Sequence, residues 1–291
     1  MRAPHTTDLA GVDAAVFGIP FDTATTYRTG TRFGPEAIRS ASALLRPWDP
    51  ALEARALDGA ADCGDVPVTP GNAERTMDQV AEALEPFARA RVPTVALGGD
   101  HSVVLGELRA QAAAAGGPLA LVLIDAHADT WNAYYGERIF HGTAFRRAVE
   151  ENLLLPERSL MAGMRGPLYD AADLEGAREL GFEVLVGDDL RSLDPAAYAS
   201  RVQGRVGDAP AFLSFDIDAV DPAFAPATGT PEVAGLTPHE VLGFVRSLAG
   251  MRFAGFDVVE VSPPYDGPGQ ITSLLAANVA YTMLGLAARA R

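Results

Sequence analysis

Eight short apolar runs recur along the chain, and segments of helical spacing separate them. The runs are Ala14–Gly18, Ala60–Asp62, Thr94–Leu97, Ala120–Asp125, Ser159–Ala162, Glu183–Val186, Ala211–Asp216 and Ala254–Glu260. Short, nearly continuous apolar runs that stop at Gly, Asp or Glu read as strands buried on both faces. The intervening segments read as helices. Asn72 is an N-cap candidate, with Met77, Val80, Ala81, Leu84, Phe87 and Ala88 at helical spacing behind it. Ser102–Ala115, Gly142–Glu150, Asp170–Leu180 and Pro195–Val206 follow, and Gly116 with Gly117 reads as a C-cap. Thr237 with Glu240 forms a capping box for a helix reaching Leu248, and Ser273–Ala290 closes the chain. This alternation predicts an α/β fold of three layers, α/β/α, with a mainly parallel sheet of about eight strands. No linker or low-complexity tract interrupts the pattern, so residues 1–291 are expected to form one domain.

Composition removes several chemistries. Asp and Glu number 38 against 23 Lys and Arg, giving a net charge of −15. Such a chain is a poor match for nucleic acid or an anionic membrane surface, and its field favours cations. Every basic residue of the Lys/Arg class is Arg, so Schiff-base chemistry and a Walker lysine are absent. Cys63 is the single cysteine, which rules out an internal disulfide and a thiolate-rich metal site. The N-terminus carries no signal-peptide pattern, and no run of about 18 apolar residues stands out. A cytoplasmic location without membrane contact is the expectation.

In open parallel sheets, ligands bind beyond the carboxyl ends of the strands. Three strand ends here run directly into metal-ligand side chains. Thr94–Leu97 leads to Gly98-Gly99-Asp100-His101-Ser102, and Ala120–Ile124 leads to Asp125-Ala126-His127-Ala128-Asp129-Thr130. Ala211–Phe215 leads to Asp216-Ile217-Asp218-Ala219-Val220-Asp221-Pro222. Residues two apart in an extended segment share a face, so Asp125, His127 and Asp129 can converge, as can Asp216 and Asp218. One such cluster alone reads as turn or cap chemistry. Their concurrence favours a cation, because buried carboxylates without a counter-charge cost several kcal/mol each. The donors are hard oxygens and imidazoles, which suit Mn²⁺, with Ni²⁺ and Co²⁺ as alternatives. Six ligands are too many for one open site. Two ions roughly 3.5–4 Å apart, sharing a water that ionises near neutral pH, fit better and supply a hydroxide nucleophile.

These three segments resemble the signatures of the ureohydrolases, the arginase–agmatinase family of binuclear manganese amidinohydrolases. Ile19-Pro20-Phe21-Asp22 through Gly34-Pro35-Glu36-Ala37-Ile38-Arg39, Asp62-Cys63-Gly64-Asp65, His141-Gly142-Thr143, Ala227–Pro231 and Val259-Glu260-Val261-Ser262-Pro263 extend the resemblance over nearly the whole chain. It implies an arginase-like fold. It also implies that His101, Asp125, Asp129 and Asp216 hold one manganese and that Asp125, His127, Asp216 and Asp218 hold the other. Glu260 would pair with the substrate guanidinium, and Thr230 would help orient it. His141 would shuttle a proton to the leaving amine. The products would be urea and a primary amine.

The loop from Thr130 to Phe140 lacks the Ser/Asn-rich pattern with which arginases read an amino-acid head group. The agmatinase branch is therefore expected, with a small cationic guanidino compound as substrate. Arg138 opens an alternative. If it lines the pocket, a guanidino acid such as 4-guanidinobutyrate or 3-guanidinopropionate is favoured; if an acidic group does, agmatine is. Trp131, Tyr134 and Tyr135 would instead shape a wall for a larger guanidino compound, including a natural product, and guanidine itself is a further alternative. Formimidoyl-group hydrolysis, a two-metal phosphoesterase using Arg28, Arg32 or Arg138, and a non-catalytic homologue are the other readings. The family forms trimers or hexamers, so a homo-oligomer is expected.

Overall fold

The computed structural model describes residues 2–290. Met1 and Arg291, the ends of the expected domain span, lie outside the described residues. All eight apolar runs form strands: β1 (Ala14–Gly18), β2 (Ala60–Asp65), β3 (Thr94–Leu97), β4 (Ala120–Ile124), β5 (Leu160–Met164), β6 (Glu183–Val186), β7 (Ala211–Asp216) and β8 (Phe253–Val259). They join in one sheet in the order β2-β1-β3-β8-β7-β4-β5-β6. Every neighbouring pair is parallel.

The helices are α1 (Gly34–Ala41), α2 (Ala73–Arg89), α3 (Val104–Ala115), α4 (Ala144–Glu150), α5 (Ala172–Glu179), α6 (Gly187–Arg191), α7 (Pro195–Val206), α8 (Pro238–Ser247) and α9 (Ile271–Arg289). Strand side chains alternate between two cores, as the pleat requires. Val16, Val95, Val122, Leu213 and Val258 pack on one face with α1, α7, α8 and α9. Phe17, Ala96, Leu123, Phe212 and Val259 pack on the other with α2, α3, α4 and α5. The three layers expected from the alternation are those observed.

The predicted caps form. Asn72 Oδ1 accepts the Arg75 N–H at 3.0 Å, and Gly116 ends α3 in the left-handed region at φ 76°. Thr237 and Glu240 close a reciprocal capping box. Helix α6 lies outside the predicted helical segments, and two further elements depart from expectation. Helix α1 was hidden by its Gly34-Pro35 start, which reads as a turn. Pro35 sits in the first helical turn, where its missing N–H costs nothing, and Ile38 anchors the helix in the core. Helix α9 is long and apolar enough to cross a membrane by length and composition, although the sequence showed no obvious run of that kind. Of its most apolar window, 78% is buried in the fold, with Ala276, Val279, Ala280, Met283 and Leu284 fully enclosed. Its hydropathy is that of a helix apolar on every side, packed against α1, α8 and β8.

Candidate metal centre

Strand order decides which loops meet. β3, β8, β7 and β4 are consecutive in the sheet, so the segments at their carboxyl ends form one continuous edge. His101 follows β3, Glu260 follows β8, Asp216 ends β7, and Asp125 follows β4. The chain turns sharply there. At Gly99 a Cβ would lie 1.7 Å from the Phe21 carbonyl oxygen, so only glycine lets the two loops cross. Asp129 and Glu260 hold positive φ values of 50° and 63°. A non-glycine residue in that region is sparsely populated, and such residues cluster at functional sites.

Three carboxylates surround one imidazole nitrogen. His101 Nδ1 lies 3.1 Å from Asp125 Oδ2, 3.0 Å from Asp129 Oδ2 and 3.2 Å from Asp216 Oδ2. The opposite nitrogen, Nε2, lies 2.9 Å from Ser214 Oγ. That hydroxyl donates to Asp257 Oδ1 at 2.7 Å, so it accepts from His101, and Nε2 carries the proton. Nδ1 is thereby the nitrogen that offers a lone pair once a cation takes the place of its proton. On the second imidazole, His127 Nδ1 lies 3.0 Å from Asp218 Oδ2 and 3.7 Å from Asp125 Oδ1. Asp125 belongs to both clusters. Thr230 Oγ1 lies 3.5 Å from Asp218 Oδ2, at the edge of the second.

The residues fit a binuclear divalent centre. His101 Nδ1 and Asp125 Oδ2 are buried and have no hydrogen-bond partner among the described residues. They are two lone-pair donors aimed at one point. Charge tells the same story. Burial, followed by the charges of Asp218 and Asp129, pushes Asp125 up to about 8. Burial and the charges of Asp218 and Asp125 hold Asp216 well above the usual carboxylate range. Burial works against the charged form of His101, yet its three carboxylates more than offset this and hold it well above the ordinary histidine value. Left with its own charges, the cluster retains protons; divalent cations would replace them.

A second constellation adjoins the first. His141 Nδ1 lies 3.0 Å from Glu260 Oε1, and its Nε2 lies 2.9 Å from Thr26 Oγ1. The same Glu260 oxygen accepts the His101 backbone N–H at 2.8 Å. Glu260 Oε2 is buried with no partner among the described residues, leaving one carboxylate oxygen for a ligand. Burial opposes the charged form of His141, but Glu260, Asp129 and Asp100 outweigh it and raise its pKa.

The cleft above the two clusters is lined by Thr26, His127, Asp129, His141 and Thr230, and further out by Trp131, Arg165, Leu168 and Asp173. Trp131 stacks on Tyr134 at 4.9 Å, and the Tyr134 and Tyr169 hydroxyls are 2.9 Å apart, joining the two loops of the outer wall. Tyr135 is 78% exposed and stands outside the wall.

Arg138 departs from its expected place. It does not line the cleft; its guanidinium pairs with Glu150 at 2.7 Å in a neighbouring charged groove, with the side chain 63% exposed. Helix α4 presents Glu150 within reach, so a surface ion pair forms where the sequence suggested a pocket cation. Arg28 stacks against Tyr27 and Tyr265, and Arg32 pairs with Asp22. None of the three loop arginines proposed for a phosphate lines the cleft. Asp100 is a loop brace, accepting the N–H groups of Ala24 and Ser102. Asp221 serves its turn, accepting from Ala223 and Gly235. Thr26, Asp257, Arg165 and Asp173 had no sequence signal. Thr26 lies 115 positions from His141, and the other three sit in segments that read as ordinary strand, loop or helix.

The comparisons with known proteins agree with this architecture. The family model described as Arginase family matches residues 12–285. A guanidinobutyrase of Pseudomonas aeruginosa is 42% identical, the match covering 98% of this chain and 90% of that protein. A mitochondrial agmatinase of Gallus gallus is 41% identical, covering 98% of this chain and 84% of that protein. The solved structure of proclavaminate amidino hydrolase from Streptomyces clavuligerus superposes with a TM-score of 0.93 at 40% identity, covering 100% of this chain and 96% of that one.

Proposed function

This chain belongs to the arginase family, and from that premise we propose that it is a binuclear amidinohydrolase of the agmatinase type. It would cleave a linear guanidino compound to urea and a primary amine. The observation that carries the reading is the pairing of an unpartnered, buried Glu260 Oε2 with two clusters of metal-ligand atoms sharing Asp125. A buried carboxylate oxygen left without a partner suits a guanidinium, which it would receive through charge-assisted hydrogen bonds.

His101, Asp125, Asp129 and Asp216 would hold one ion, and Asp125, His127, Asp216 and Asp218 the other, with Mn²⁺ the best match to these donors. Two bound ions supply a hydroxide nucleophile near neutral pH and a Lewis acid. Glu260 fixes the guanidinium carbon in the cleft. His141, protonated through its contact with Glu260, delivers a proton to the amine nitrogen as the C–N bond breaks, and Thr26 Oγ1 links it toward the cleft. Thr230 orients the substrate's free N–H groups beside Asp218.

An agmatine-like tail is supported by the charge of the outer cleft, where Asp173 is present and Arg138 is not. A guanidino-acid substrate is the second reading, favoured by Arg165, which also lines the cleft. Its Nε and Nη2, however, are engaged by the carbonyls of Val233, Asp218 and Glu232. The test is urea release by Mn²⁺-loaded protein from agmatine, 4-guanidinobutyrate, 3-guanidinopropionate, guanidine and arginine in parallel. Activity on arginine alone overturns the branch; full activity after complete metal removal overturns the binuclear mechanism. The same reading carries the expectation of a trimer or hexamer in the cytoplasm, which sedimentation and fractionation would test.

A further inference from the structure

We propose that Glu232 is a positioning residue. It holds the His127 imidazole in the orientation that offers Nδ1 to the second metal ion, and so governs how firmly that ion is kept. The proposal rests on the binuclear reading above.

The two imidazole ligands differ in how they are held. His101 is fully buried, and its far nitrogen is fixed by Ser214. His127 sits at the cleft with its side chain 30% exposed, whereas the other five ligand side chains are between 0% and 8% exposed. A ring in that position needs its far nitrogen fixed if Nδ1 is to stay aimed at Asp218 and Asp125. The group facing that nitrogen is Glu232, whose Oε1 lies 3.9 Å from His127 Nε2. At that distance the carboxylate acts through its charge rather than a direct hydrogen bond, favouring the tautomer with the proton on Nε2 and the lone pair on the metal-facing Nδ1.

Glu232 is itself seated. Its carboxylate rests against Gly166, which has φ 85°; a Cβ there would lie 2.4 Å from Glu232 Cδ and 2.5 Å from Oε2. Only glycine leaves that space open. The backbone of the same segment is pinned by Arg165, whose Nη2 donates to the Glu232 carbonyl at 2.7 Å and whose Nε donates to that of Val233 at 3.1 Å. A glycine notch and an arginine clamp thus serve one carboxylate, aimed at one ring.

The test loads the full-length protein and its Glu232→Gln and Gly166→Ala variants with Mn²⁺, then dialyses them against graded chelator. Metal content per chain and the Mn²⁺ electron paramagnetic resonance spectrum are read at each step. The wild type is expected to keep two ions with a spin-coupled spectrum. Glu232→Gln should lose one of them at a chelator strength about 10- to 100-fold lower, leaving a mononuclear signal. Gly166→Ala, which keeps the carboxylate but fills its seat, should show the same selective loss. Thermal melting of the metal-free proteins separates this from misfolding: a positioning role leaves the Glu232→Gln melt unchanged. If wild type and Glu232→Gln keep both ions equally, the proposal is overturned and the binuclear reading stands. If the wild type itself takes up no more than one ion, both fall together.

Discussion

His141 Nδ1 lies 3.0 Å from Glu260 Oε1, and that oxygen also accepts the backbone N–H of His101. Glu260 therefore joins the proton-carrying histidine to the metal-ligand loop while keeping Oε2 free. Its backbone is locked at φ 63°, with its N–H donated to the Gly99 carbonyl at 2.9 Å. Removing its charge should destroy guanidinium binding without touching a metal ligand. Glu260→Gln is expected to lower kcat/KM by roughly 10²- to 10³-fold, the scale for losing one partner of a buried charge pair. Metal content should stay at the wild-type value. A variant with near-normal kcat/KM would remove Glu260 from the substrate site.

His141 has a different signature. It is buried, held from both sides by Glu260 and Thr26, and its protonated form is favoured. A general acid contributes typically 10²- to 10⁴-fold to a proton-transfer step. His141→Asn should therefore cut kcat by at least about 10²-fold and change KM much less. Single-turnover urea release separates the two parameters. Equal losses in binding and turnover would recast His141 as a binding residue.

The Ser214 hydroxyl makes a testable prediction about metal retention through the fully buried ligand. It accepts from His101 Nε2 and donates to Asp257, so Ser214→Ala leaves a buried N–H and a buried carboxylate each short of a partner. An unsatisfied buried polar group costs about 1–3 kcal/mol. The variant should melt earlier and release its first ion more readily under chelator. Wild-type stability and metal retention together would show that the relay holds nothing.

Arg138 should prove irrelevant to substrate choice. Its partner is Glu150, and both side chains are substantially exposed. An exposed pair of this kind is worth about 0.2–1 kcal/mol. Arg138→Ala is therefore expected to leave the ratio of kcat/KM for 4-guanidinobutyrate over agmatine within about twofold of wild type. A selective collapse of the guanidino-acid rate would return Arg138 to the pocket.

Much of this architecture is legible along the chain because parallel strands need apolar residues throughout, and their boundaries are abrupt. Leu97, Ile124 and Phe215 each end a run that passes directly into Gly or Asp, so the metal-ligand types stand out as polar interruptions at strand ends. What does not show is adjacency. Nothing local says that β8 slips between β3 and β7, yet that placement brings Glu260 to His101 and Asp257 to Ser214. Asp257 sits inside the apolar run Phe256–Val259 and reads as an oddity until its neighbour strand supplies Ser214. Thr26 and Glu232 lie in loops whose composition suggests only turns, and their partners are fixed by tertiary packing. Arg138 fails for the converse reason. A basic residue near a predicted pocket carries no information about which way a long side chain turns, and Glu150 on α4 decides it.

Behind the metal-ligand loop, α3 places one more acid. Glu107 is fully buried, and neither of its carboxylate oxygens has a hydrogen-bond partner among the described residues. Burial, with the nearby Asp257 charge adding to it, raises its pKa well above the usual carboxylate value; His101 pulls the other way. In the metal-free protein the sign follows from linkage. The folded state holds the Glu107 proton to higher pH than the unfolded chain, which releases it near about 4.3. The unfolded state thus binds fewer protons across that window, and stability attributable to Glu107 falls as pH rises, by at most about 1.4 kcal/mol per pH unit. Glu107→Gln keeps the shape and removes the titration. Its chelator-treated form should match wild type in denaturant stability near pH 5 and exceed it increasingly toward pH 8. A variant less stable than wild type by the same margin at every pH would mean that the Glu107 carboxylate is ionised and paired in the folded protein.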